Sequence, residues 1–445
     1  MSRIPPAVQE PSHWLMGPAW HAQRDPISYI TRWAGEYGDI FSIGSPLGSA
    51  TVVADPVLAR QVLADHYSSY VEKGRSYAVL RILMGNGLVT SSGEFWRGQR
   101  RMTQPAFHRR RLDAIFAMMV RRSRETAMVM AREGGAPDIA PAFSRLTLAI
   151  ISEAMFSTDV KQDASTVGAH VATLNEAALR MLRQPWRFLL PRSFPTPFTR
   201  HDYHARTELD RIVNNIIQQR RLNPAGHDDL LSMFLSACDE ETGRGMTDSQ
   251  LRDEVMTMFI AGHETTANAM CWVLHLVATH PDVKARMLEE IAHAGDALDQ
   301  GSLTAFPLVK MVIEESLRLY PTIWSVGRLC TRDDDLGGWK IRKGTTLIIP
   351  IFLFQWSAKW WDNPRKFDPD RFQPDRRPSP EIYFPFGAGP RTCIGNQFAM
   401  QELMIMTITF LQALDIQPVP DFPVEMDPLI TLRPKHGMRL ALSPR

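Results

Sequence analysis

One cysteine of this chain stands where its sulfur could bind a metal. Cys393 lies in a loop, residues 386–395, that holds three glycines and a proline, and apolar residues at helical spacing follow from Asn396. Free N–H groups and the helix dipole at a helix N-terminus stabilise a thiolate over a thiol. A thiolate in a glycine-rich loop beneath an aromatic residue, Phe386, favours metal ligation, with haem iron as the leading case. The loop by itself leaves open a small buried cysteine that only packs.

The longest helical signal is interrupted by polar residues at its centre. It covers residues 247–280, with a capping box formed by Thr247 and Gln250 at its start and Pro281 beyond its end. Its apolar face is broken by residues 261–266, which read Ala-Gly-His-Glu-Thr-Thr. Glycine, a carboxylate and β-branched hydroxyls are poor choices for the centre of a buried helix. Such a departure favours a functional site, and a tolerated polar patch is the alternative.

Two further patterns place charged or aromatic side chains at helical spacing. Glu315 and Arg318 are three apart on a helix predicted at residues 306–319, so they can pair, although most such pairs are surface contacts of little energy. Trp96 and Arg100 are four apart and share one helix face. Further arginines follow them and indicate either a solvated helix face or a docking site. These are Arg109, Arg110, Arg111, Arg121, Arg122 and Arg124.

The composition is that of an ordinary globular protein. The chain has 445 residues, of which 44% are hydrophobic and 22% charged, and this length allows a large core. A formal net charge of +2 creates no overall field that favours nucleic acid. The four cysteines lie far apart, without a CxxC pair, which indicates a reducing compartment. Residues 1–26 are broken by prolines and contain no apolar run long enough for a signal peptide or a membrane span, so no transmembrane anchor is expected. We therefore expect a soluble, cytoplasmic protein.

The pattern of elements predicts a mainly α-helical fold with small β-sheets, an α+β protein. Short β-rich runs at residues 39–43 and 50–54 predict a hairpin, and further short strands are expected between residues 324 and 350. Residues 356–380 are rich in proline, aspartate and arginine and are expected to be irregular. We predict an irregular lead-in at residues 1–25 and a single domain at residues 26–445. A proline-broken apolar loop near residues 185–198 suggests a lid or an apolar entrance.

Taken together, the motifs resemble those of the cytochrome P-450 family of haem-thiolate monooxygenases, over nearly the whole chain. Phe386-x-x-Gly389-x-Arg391-x-Cys393-x-Gly395 fits the haem-ligand loop, and Ala261-Gly262-x-Glu264-Thr265-Thr266 fits the oxygen-activation motif of the long central helix. Glu315-x-x-Arg318 fits the buried Glu–Arg pair, and residues 369–372, Pro-Asp-Arg-Phe, supply the second arginine of that cluster, Arg371. Four motifs in the family's order are a specific match. The resemblance implies the cytochrome P-450 fold, with haem between the long central helix and the cysteine-loop helix.

The resemblance also implies a role for each residue around haem b. Cys393 would be the axial thiolate and metal ligand, with Phe386 packed beside the haem and Gly395 in the same loop. The side chains expected to contact the propionates are Trp96, Arg100, Arg328 and Arg391. Arginine suits this role because its planar fork binds carboxylates bidentately.

On the distal side, the resemblance assigns catalysis to Glu264 and Thr265. Thr265 would hold water, and Glu264 would relay protons to the distal oxygen. Ala261 and Gly262 would leave room for dioxygen. Some family members attach haem covalently through a glutamate at the position of Ala261, so alanine there implies non-covalent haem. Glu315, Arg318 and Arg371 would form a buried structural cluster.

The implied function is insertion of one atom of O2 into a lipophilic small molecule. Because the chain ends about 50 residues past the cysteine loop and shows no flavin or iron–sulfur motif, electrons are expected from a ferredoxin or flavodoxin with its NAD(P)H reductase. The alternatives are a haem-thiolate enzyme that uses peroxide or rearranges a substrate, and a non-catalytic haem or metal-thiolate protein. The predicted substrate pocket consists of Leu80, Leu88, Val89, Met181, Thr257, Ile260, Trp324, Val326 and Ile430.

Overall fold

The structure is a computed structural model, and it separates into two compact units. The residues that it describes are 3–10, 17–45, 48–74, 77–156, 167, 169–171, 173–174, 176–177, 180–181, 197–223, 229–295, 298–299 and 301–445. The first unit comprises Met1–Ala78, Glu314–Cys393 and Asp427–Leu432, and the second comprises Val79–Ile313, Ile394–Met426 and Arg433–Arg445. The proline-rich lid predicted near residues 185–198 lies almost entirely outside the described residues.

Helices dominate the described chain, and the sheets are small, which confirms the predicted fold class. The helices are α1 (Ala19–Arg24), α2 (Pro26–Tyr37), α3 (Pro56–Arg60), α4 (Tyr77–Met84), α5 (Gly93–Thr103), α6 (Arg109–Glu133), α7 (Ala140–Phe156), α8 (Pro197–Leu222), α9 (Leu230–Ser236), α10 (Asp248–Thr279), α11 (Pro281–Ala294), α12 (Pro307–Leu319), α13 (Ile351–Gln355) and α14 (Asn396–Ala413). Single helical turns of π or 3-10 type occupy Gln61–Asp65, Tyr67–Ser69, Gln104–Phe107, Ser302–Ala305, Pro369–Phe372 and Gly389–Arg391. Among the described residues, no helix has the length and apolar character needed to cross a membrane.

The first unit is built on a four-stranded sheet. Its strand order is β1-β2-β6-β3, in which β1 and β2 form the predicted antiparallel hairpin, β2 runs parallel to β6, and β3 is antiparallel to β6. The strands of the chain are β1 (Ile40–Ser45), β2 (Gly48–Val53), β3 (Ser325–Leu329), β4 (Asp334–Leu336), β5 (Trp339–Ile341), β6 (Thr346–Pro350), β7 (Leu414–Pro418), β8 (Met426–Pro428), β9 (Leu432–Pro434) and β10 (Leu440–Pro444). The antiparallel pair β7–β10 belongs to the second unit.

The lead-in is more ordered than its sequence predicts. Instead of being irregular, it includes the short helix α1, on which the Arg24 guanidinium stacks over the Trp20 ring at 4.3 Å. This contact spans one helical turn and explains why a proline-flanked stretch folds locally. Upstream of it, Ser42 of β1 donates its N–H to Pro6 at 2.8 Å, so the lead-in also extends the edge of the sheet.

The second unit is a helical assembly around α10. The predicted capping box is present, because the Thr247 hydroxyl accepts the Gln250 N–H while the Gln250 side chain accepts the Thr247 N–H. Pro281 follows the helix end as predicted. Helix α14 packs on α10, with the Thr407 hydroxyl 3.7 Å from the Met270 sulfur. It also packs on α6, where the Gln401 amide donates to the carbonyl oxygen of Leu112 at 3.1 Å.

Candidate active site

The loop before α14 holds Cys393 in a fixed turn. The Cys393 N–H donates to the carbonyl oxygen of Phe386 at 2.8 Å, which closes the loop on itself. Gly389 has a φ of +68°, and a Cβ there would lie 2.1 Å from the carbonyl oxygen of Leu63. A side chain at this position would therefore collide with backbone, and only glycine allows the approach. The loop conformation predicted from the glycine pattern is thus required by a close backbone contact.

Exposure separates Cys393 from two of the other thiols. Cys271 and Cys330 are buried, and burial raises the pKa of each above its ordinary value. A buried thiol of this kind stays protonated and unreactive. Cys393 is exposed, as is Cys238, which lies on the isolated bridge to Gly245. The arrangement favours Cys393 as a ligand, because its side chain is accessible in a loop that leads into a helix.

Three cationic side chains converge in the first unit. They are Lys73, Arg328 on β3, and Arg391 of the cysteine loop. Burial, reinforced by Arg328 and Arg391, lowers the pKa of Lys73 well below its ordinary value. Burial also lowers the pKa of Arg391, and Arg328 adds to this effect while Tyr67 opposes it. Arg328 is 5% exposed, and its Nε is buried without a hydrogen-bond partner among the described residues. A bound anion would offset the positive charge of these three side chains and could accept a hydrogen bond from Nε of Arg328.

The centre of α10 presents a half-buried face on a helix that is otherwise mostly buried. Ala261, Gly262, Glu264 and Thr265 are half-buried, whereas the flanking segments 254–260 and 266–274 are buried. The Thr265 hydroxyl donates to the carbonyl oxygen of Ala261 at 2.8 Å. Bonds of this type, one turn back, loosen and bend a helix. The polar break seen in the sequence is therefore a real opening on one helix face.

Gly262 serves helix packing in this structure. A Cβ on Gly262 would lie 3.1 Å from Cγ1 of Ile151 on α7, which is tighter than ordinary van der Waals contact. The sequence interpretation also gave this glycine the role of leaving room for dioxygen, and that role remains a prediction. The neighbouring His263 is buried, donates its Nδ1–H to the carbonyl oxygen of Phe259 at 2.8 Å, and has a pKa lowered by burial. It is therefore a neutral packing residue.

Glu402 is a buried carboxyl behind the same segment of α10, and the sequence interpretation missed it. It lies on α14 with 1% exposure, and neither of its oxygens has a hydrogen-bond partner among the described residues. Burial raises the pKa of Glu402 well above its ordinary value, and the nearby Thr266 hydroxyl opposes the shift only in part. Burial thus favours the protonated form of this carboxyl. In the sequence, Glu402 could have been recognised as a carboxylate among the apolar residues of a predicted helix.

The predicted Glu–Arg cluster is assembled inside the first unit. Arg318 donates to both oxygens of Glu315, at 2.6 and 2.8 Å, and both side chains are fully buried. Nε of Arg371 lies 3.5 Å from Oε1 of Glu315. Asp368 completes the set by donating its N–H to Glu315 at 3.0 Å. The surface-contact alternative for Glu315 and Arg318 is excluded by this burial.

The predicted pocket residues divide between the two units. In the second unit, Leu88, Thr257 and Ile260 are buried, while Leu80, Val89 and Met181 are half-buried. Gly87, next to Leu88, lies directly against Thr257. In the first unit, Trp324, Val326 and Ile430 are half-buried, and the Trp324 indole N–H donates to the carbonyl oxygen of Leu429 at 2.9 Å. Within each unit, some of the predicted lining residues are thus brought together.

Comparison with known proteins identifies the family. The Cytochrome P450 family model matches residues 6–440. The chain belongs to the cytochrome P450 family. Pentalenene oxygenase of Streptomyces avermitilis is 31% identical over 97% of this P450 and 96% of its own chain. Cyclooctat-9-en-7-ol 5-monooxygenase of Streptomyces melanosporofaciens is 31% identical over 91% of this P450 and 88% of its own chain. The crystal structure of the cytochrome P450DA heme domain matches with a TM-score of 0.88 at 26% identity, covering 100% of this chain and 98% of that one.

Membership gives this P450 its reaction class and its cofactor. It is a monooxygenase, and the family and fold imply a haem group, the use of O2 and redox partners. The side chains present fit haem, since an exposed cysteine in the loop and a cationic cluster match an iron centre with two carboxylate arms. Lys73 is the member of that cluster that the sequence motifs did not reveal, because a lone lysine carries no spacing pattern. Trp96 and Arg100 both lie on α5, where Trp96 is buried and Arg100 half-buried, and their contact with the propionates remains a prediction.

Proposed function

We propose that this P450 inserts one atom of O2 into a lipophilic small molecule, by hydroxylation or epoxidation, with electrons from separate redox partners. The observation that carries the proposal is the half-buried Glu264–Thr265 pair on the otherwise mostly buried helix α10. An acid beside an alcohol is what controlled proton delivery to oxygen requires. A peroxide-using or non-oxygenating haem-thiolate enzyme, the alternative, needs no such pair.

The cofactor is proposed to be haem b, held without a covalent bond. Cys393 supplies the axial thiolate, and Phe386 and Gly395 shape the loop around it. When bound, haem supplies the iron at which O2 is activated. Ala261 offers no carboxyl for an ester bond, so haem should leave the polypeptide on acid extraction. The side chains proposed to bind the propionates are Lys73, Trp96, Arg100, Arg328 and Arg391.

Glu264 and Thr265 are proposed to move protons at the distal side of the haem. The Thr265 hydroxyl donates its proton to the Ala261 carbonyl oxygen, so its oxygen is available to accept a hydrogen bond from water. Glu264 is half-buried, in contrast with Glu402, which is buried and has a pKa raised well above its ordinary value by that burial. This division gives Glu264 the role of proton carrier and Thr265 the role of holding the water that receives the proton.

The substrate is proposed to be a cyclic alkene or a related terpenoid. The predicted pocket is almost entirely apolar, so it selects lipophilic molecules, with a discrimination of only about 1–3 kcal/mol per methylene. The names of two relatives, pentalenene oxygenase and cyclooctat-9-en-7-ol 5-monooxygenase, denote unsaturated ring compounds as their substrates. Trp324 offers a rigid wall, because its indole is fixed by the bond to Leu429.

The redox partner is proposed to be an acidic ferredoxin or flavodoxin that is reduced by an NAD(P)H reductase. Arg109, Arg110 and Arg111 form the first turn of α6, where cations oppose the helix dipole. Helix stability therefore does not explain three arginines at this place, which fits a docking role. Cε1 of Phe107, two residues before this turn, lies 3.9 Å from where a Cβ of Gly395 would be, so this turn is close to the end of the cysteine loop. Charge reversal of all three arginines should weaken the apparent affinity for a ferredoxin.

Two measurements test the proposed function. The reduced protein with carbon monoxide should give the Soret band of a haem thiolate, and a screen of cyclic alkenes should shift the haem spin state. With added ferredoxin and reductase, NAD(P)H consumption should then be coupled to an oxygenated product. Product that forms only with peroxide, or a rearranged product without added oxygen, would favour the alternative.

A further inference from the structure

Two neighbouring carboxyls on α10 hold the turn that precedes Leu88. Oδ2 of Asp253 accepts the N–H of Asn86 at 2.7 Å, and Oε2 of Glu254 accepts the N–H of Leu88 at 3.1 Å. The turn and the helix are more than 160 residues apart in sequence. Backbone amides of one segment are therefore bound by consecutive side chains of another, which fixes the turn in both position and orientation.

Glycines let this turn lie directly on the helix. Gly85 has a φ of +77°, and a Cβ there would be 2.0 Å from Oδ1 of Asp253. A Cβ on Gly87 would be 2.2 Å from the hydroxyl oxygen of Thr257 and 2.6 Å from the Asp253 carbonyl oxygen. Any side chain at either position would push the turn away from the helix. Both contacts are thus built for close approach, beside Leu88 and Thr257 of the predicted pocket.

The carboxyls of Asp253 and Glu254 differ in their hydrogen-bond partners. Asp253 is half-buried and accepts a hydrogen bond from Arg252 at 2.7 Å, and Arg252 also binds Asp210 on α8. Glu254 is fully buried, and its Oε1 has no hydrogen-bond partner among the described residues. Burial raises the pKa of Glu254 to about 8, and Asp253 adds to this effect. Glu254 is therefore neutral at physiological pH.

The stability of the fold does not explain why a glutamate occupies position 254. A single hydrogen bond to the Leu88 amide gives a small net gain, whereas burying a second carboxyl oxygen without a partner is unfavourable. A leucine of similar size would avoid the second effect. A glutamate at this position is explained if fixing the turn before Leu88 contributes more to function than the residue costs in stability.

We propose that Glu254 is a positioning residue that fixes Leu88 and so sets how large a molecule the substrate pocket accepts. The proposal rests on the assignment of Leu88 and Thr257 to that pocket. If Glu254 no longer binds the Leu88 amide, the turn moves off the helix and the wall loses its place. Small haem ligands are then unaffected, while ligands that reach the wall bind differently.

The test compares two azoles that bind haem iron directly. Imidazole needs little space, whereas 4-phenylimidazole extends a ring into the pocket, and both are titrated by the Soret shift. Glu254→Leu should weaken 4-phenylimidazole relative to imidazole by about threefold to tenfold, the loss expected for one hydrogen bond. Glu254→Gln keeps an oxygen for the Leu88 amide and should stay within about twofold of the wild type. Amide hydrogen exchange of residues 84–90 should be faster in Glu254→Leu only.

Glu290→Leu is the matched control. Glu290 also accepts backbone amides from another segment, those of Leu308 and Val309 at 2.8 and 3.0 Å, but at the start of α12. Its loss should leave the ratio of the two azole affinities unchanged. An unchanged ratio and unchanged exchange in Glu254→Leu would overturn the proposal, as would a Glu254→Gln protein that behaves like Glu254→Leu.

Two further outcomes keep the proposal separate from the proposed function. If Glu254→Leu does not fold, Gly87→Ala replaces it, since the added Cβ displaces the turn. It should shift the affinity ratio in the same direction, and an unchanged ratio counts against the proposal. If the wild-type protein gives no thiolate spectrum and no azole shift, the proposed function fails. Hydrogen exchange at residues 84–90 then still decides whether Glu254 holds the turn.

Discussion

Arg318 donates two hydrogen bonds to Glu315, three residues earlier on α12, and both side chains are completely buried. The same guanidinium donates to the carbonyl oxygens of Gln355 and Pro364, at 2.6 and 2.8 Å. It therefore ties α12 to the irregular stretch that leads towards the cysteine loop. A pair that looked like a routine helix contact in sequence is the central connection of the first unit.

Removing one partner of this pair should unfold the cysteine loop. Glu315→Ala leaves Arg318 buried without its counter-charge, at a cost of about 3–5 kcal/mol. We expect loss of haem incorporation, measured as haem per polypeptide by the pyridine haemochrome assay. Arg97→Gln is the control, because Arg97 and Glu94 have the same spacing but are exposed, and such pairs contribute about 0–1 kcal/mol. A Glu315→Ala protein with full haem content would contradict the structural role.

Cys393 should be the one cysteine whose loss removes the thiolate spectrum. Cys393→Ala abolishes the axial ligand, so the reduced carbon monoxide adduct should lose its haem-thiolate Soret band. Cys238→Ala, Cys271→Ala and Cys330→Ala should each keep it. Retention of the band in Cys393→Ala would show that another residue ligates the iron.

Lys73 should contribute to the affinity for the haem propionates. Lys73→Gln removes one charge of the cluster with Arg328 and Arg391, and a hydrogen bond to a charged group is worth about 1.5–3 kcal/mol. The apoprotein should therefore bind haem about tenfold or more weakly, while binding of the dimethyl ester of haem should change little. Lys359→Gln is the control, since Lys359 is paired with Asp39 and Asp55. An equal loss for haem and its ester would contradict a propionate contact.

Thr265 should govern how efficiently electrons become product. Thr265→Ala removes the hydroxyl proposed to hold the water that receives the proton from Glu264, so product per NAD(P)H consumed should fall several-fold, with haem content unchanged. Thr266→Val, one residue later, tests whether the loss of any hydroxyl of this segment lowers the amount of product per NAD(P)H consumed. The Thr266 side chain is buried and bonds to the Gly262 carbonyl oxygen at 3.3 Å. Equal coupling in Thr265→Ala and wild type would exclude the proposed role.

Glu254 should make stability depend on pH in a defined window. Its pKa is raised from an ordinary 4.5 to about 8, so between these values the folded chain holds one proton more than the unfolded chain. The free energy of unfolding therefore falls as pH rises through this window. Glu254→Gln lacks the effect, and its advantage over wild type should grow by on the order of a few kcal/mol from pH 5 to 8. Urea unfolding at several pH values measures it, and parallel curves would contradict the assignment.

Local sequence determined the elements and the identity of the main site residues. The capping box and Pro281 bound α10 because they satisfy or remove backbone donors locally, and the positive φ of Gly387 belongs to the local turn of the cysteine loop. Glu315 and Arg318 were recognisable because helical spacing alone brings them within reach. Each of these features depends on residues a few positions apart, for which the chain's own geometry is sufficient.

Tertiary structure decided the features that depend on contacts between distant segments. Lys73 joins Arg328 and Arg391 only after folding, and Glu254 meets Leu88 across more than 160 residues. Burial decided the protonation of Glu402 and Glu254, because the desolvation of a carboxyl depends on what surrounds it and not on its neighbours in sequence. The close approach of Gly262 to Ile151 on another helix is likewise a tertiary contact. A sequence pattern records periodicity along one element, whereas charge balance and close approach are properties of the packed molecule.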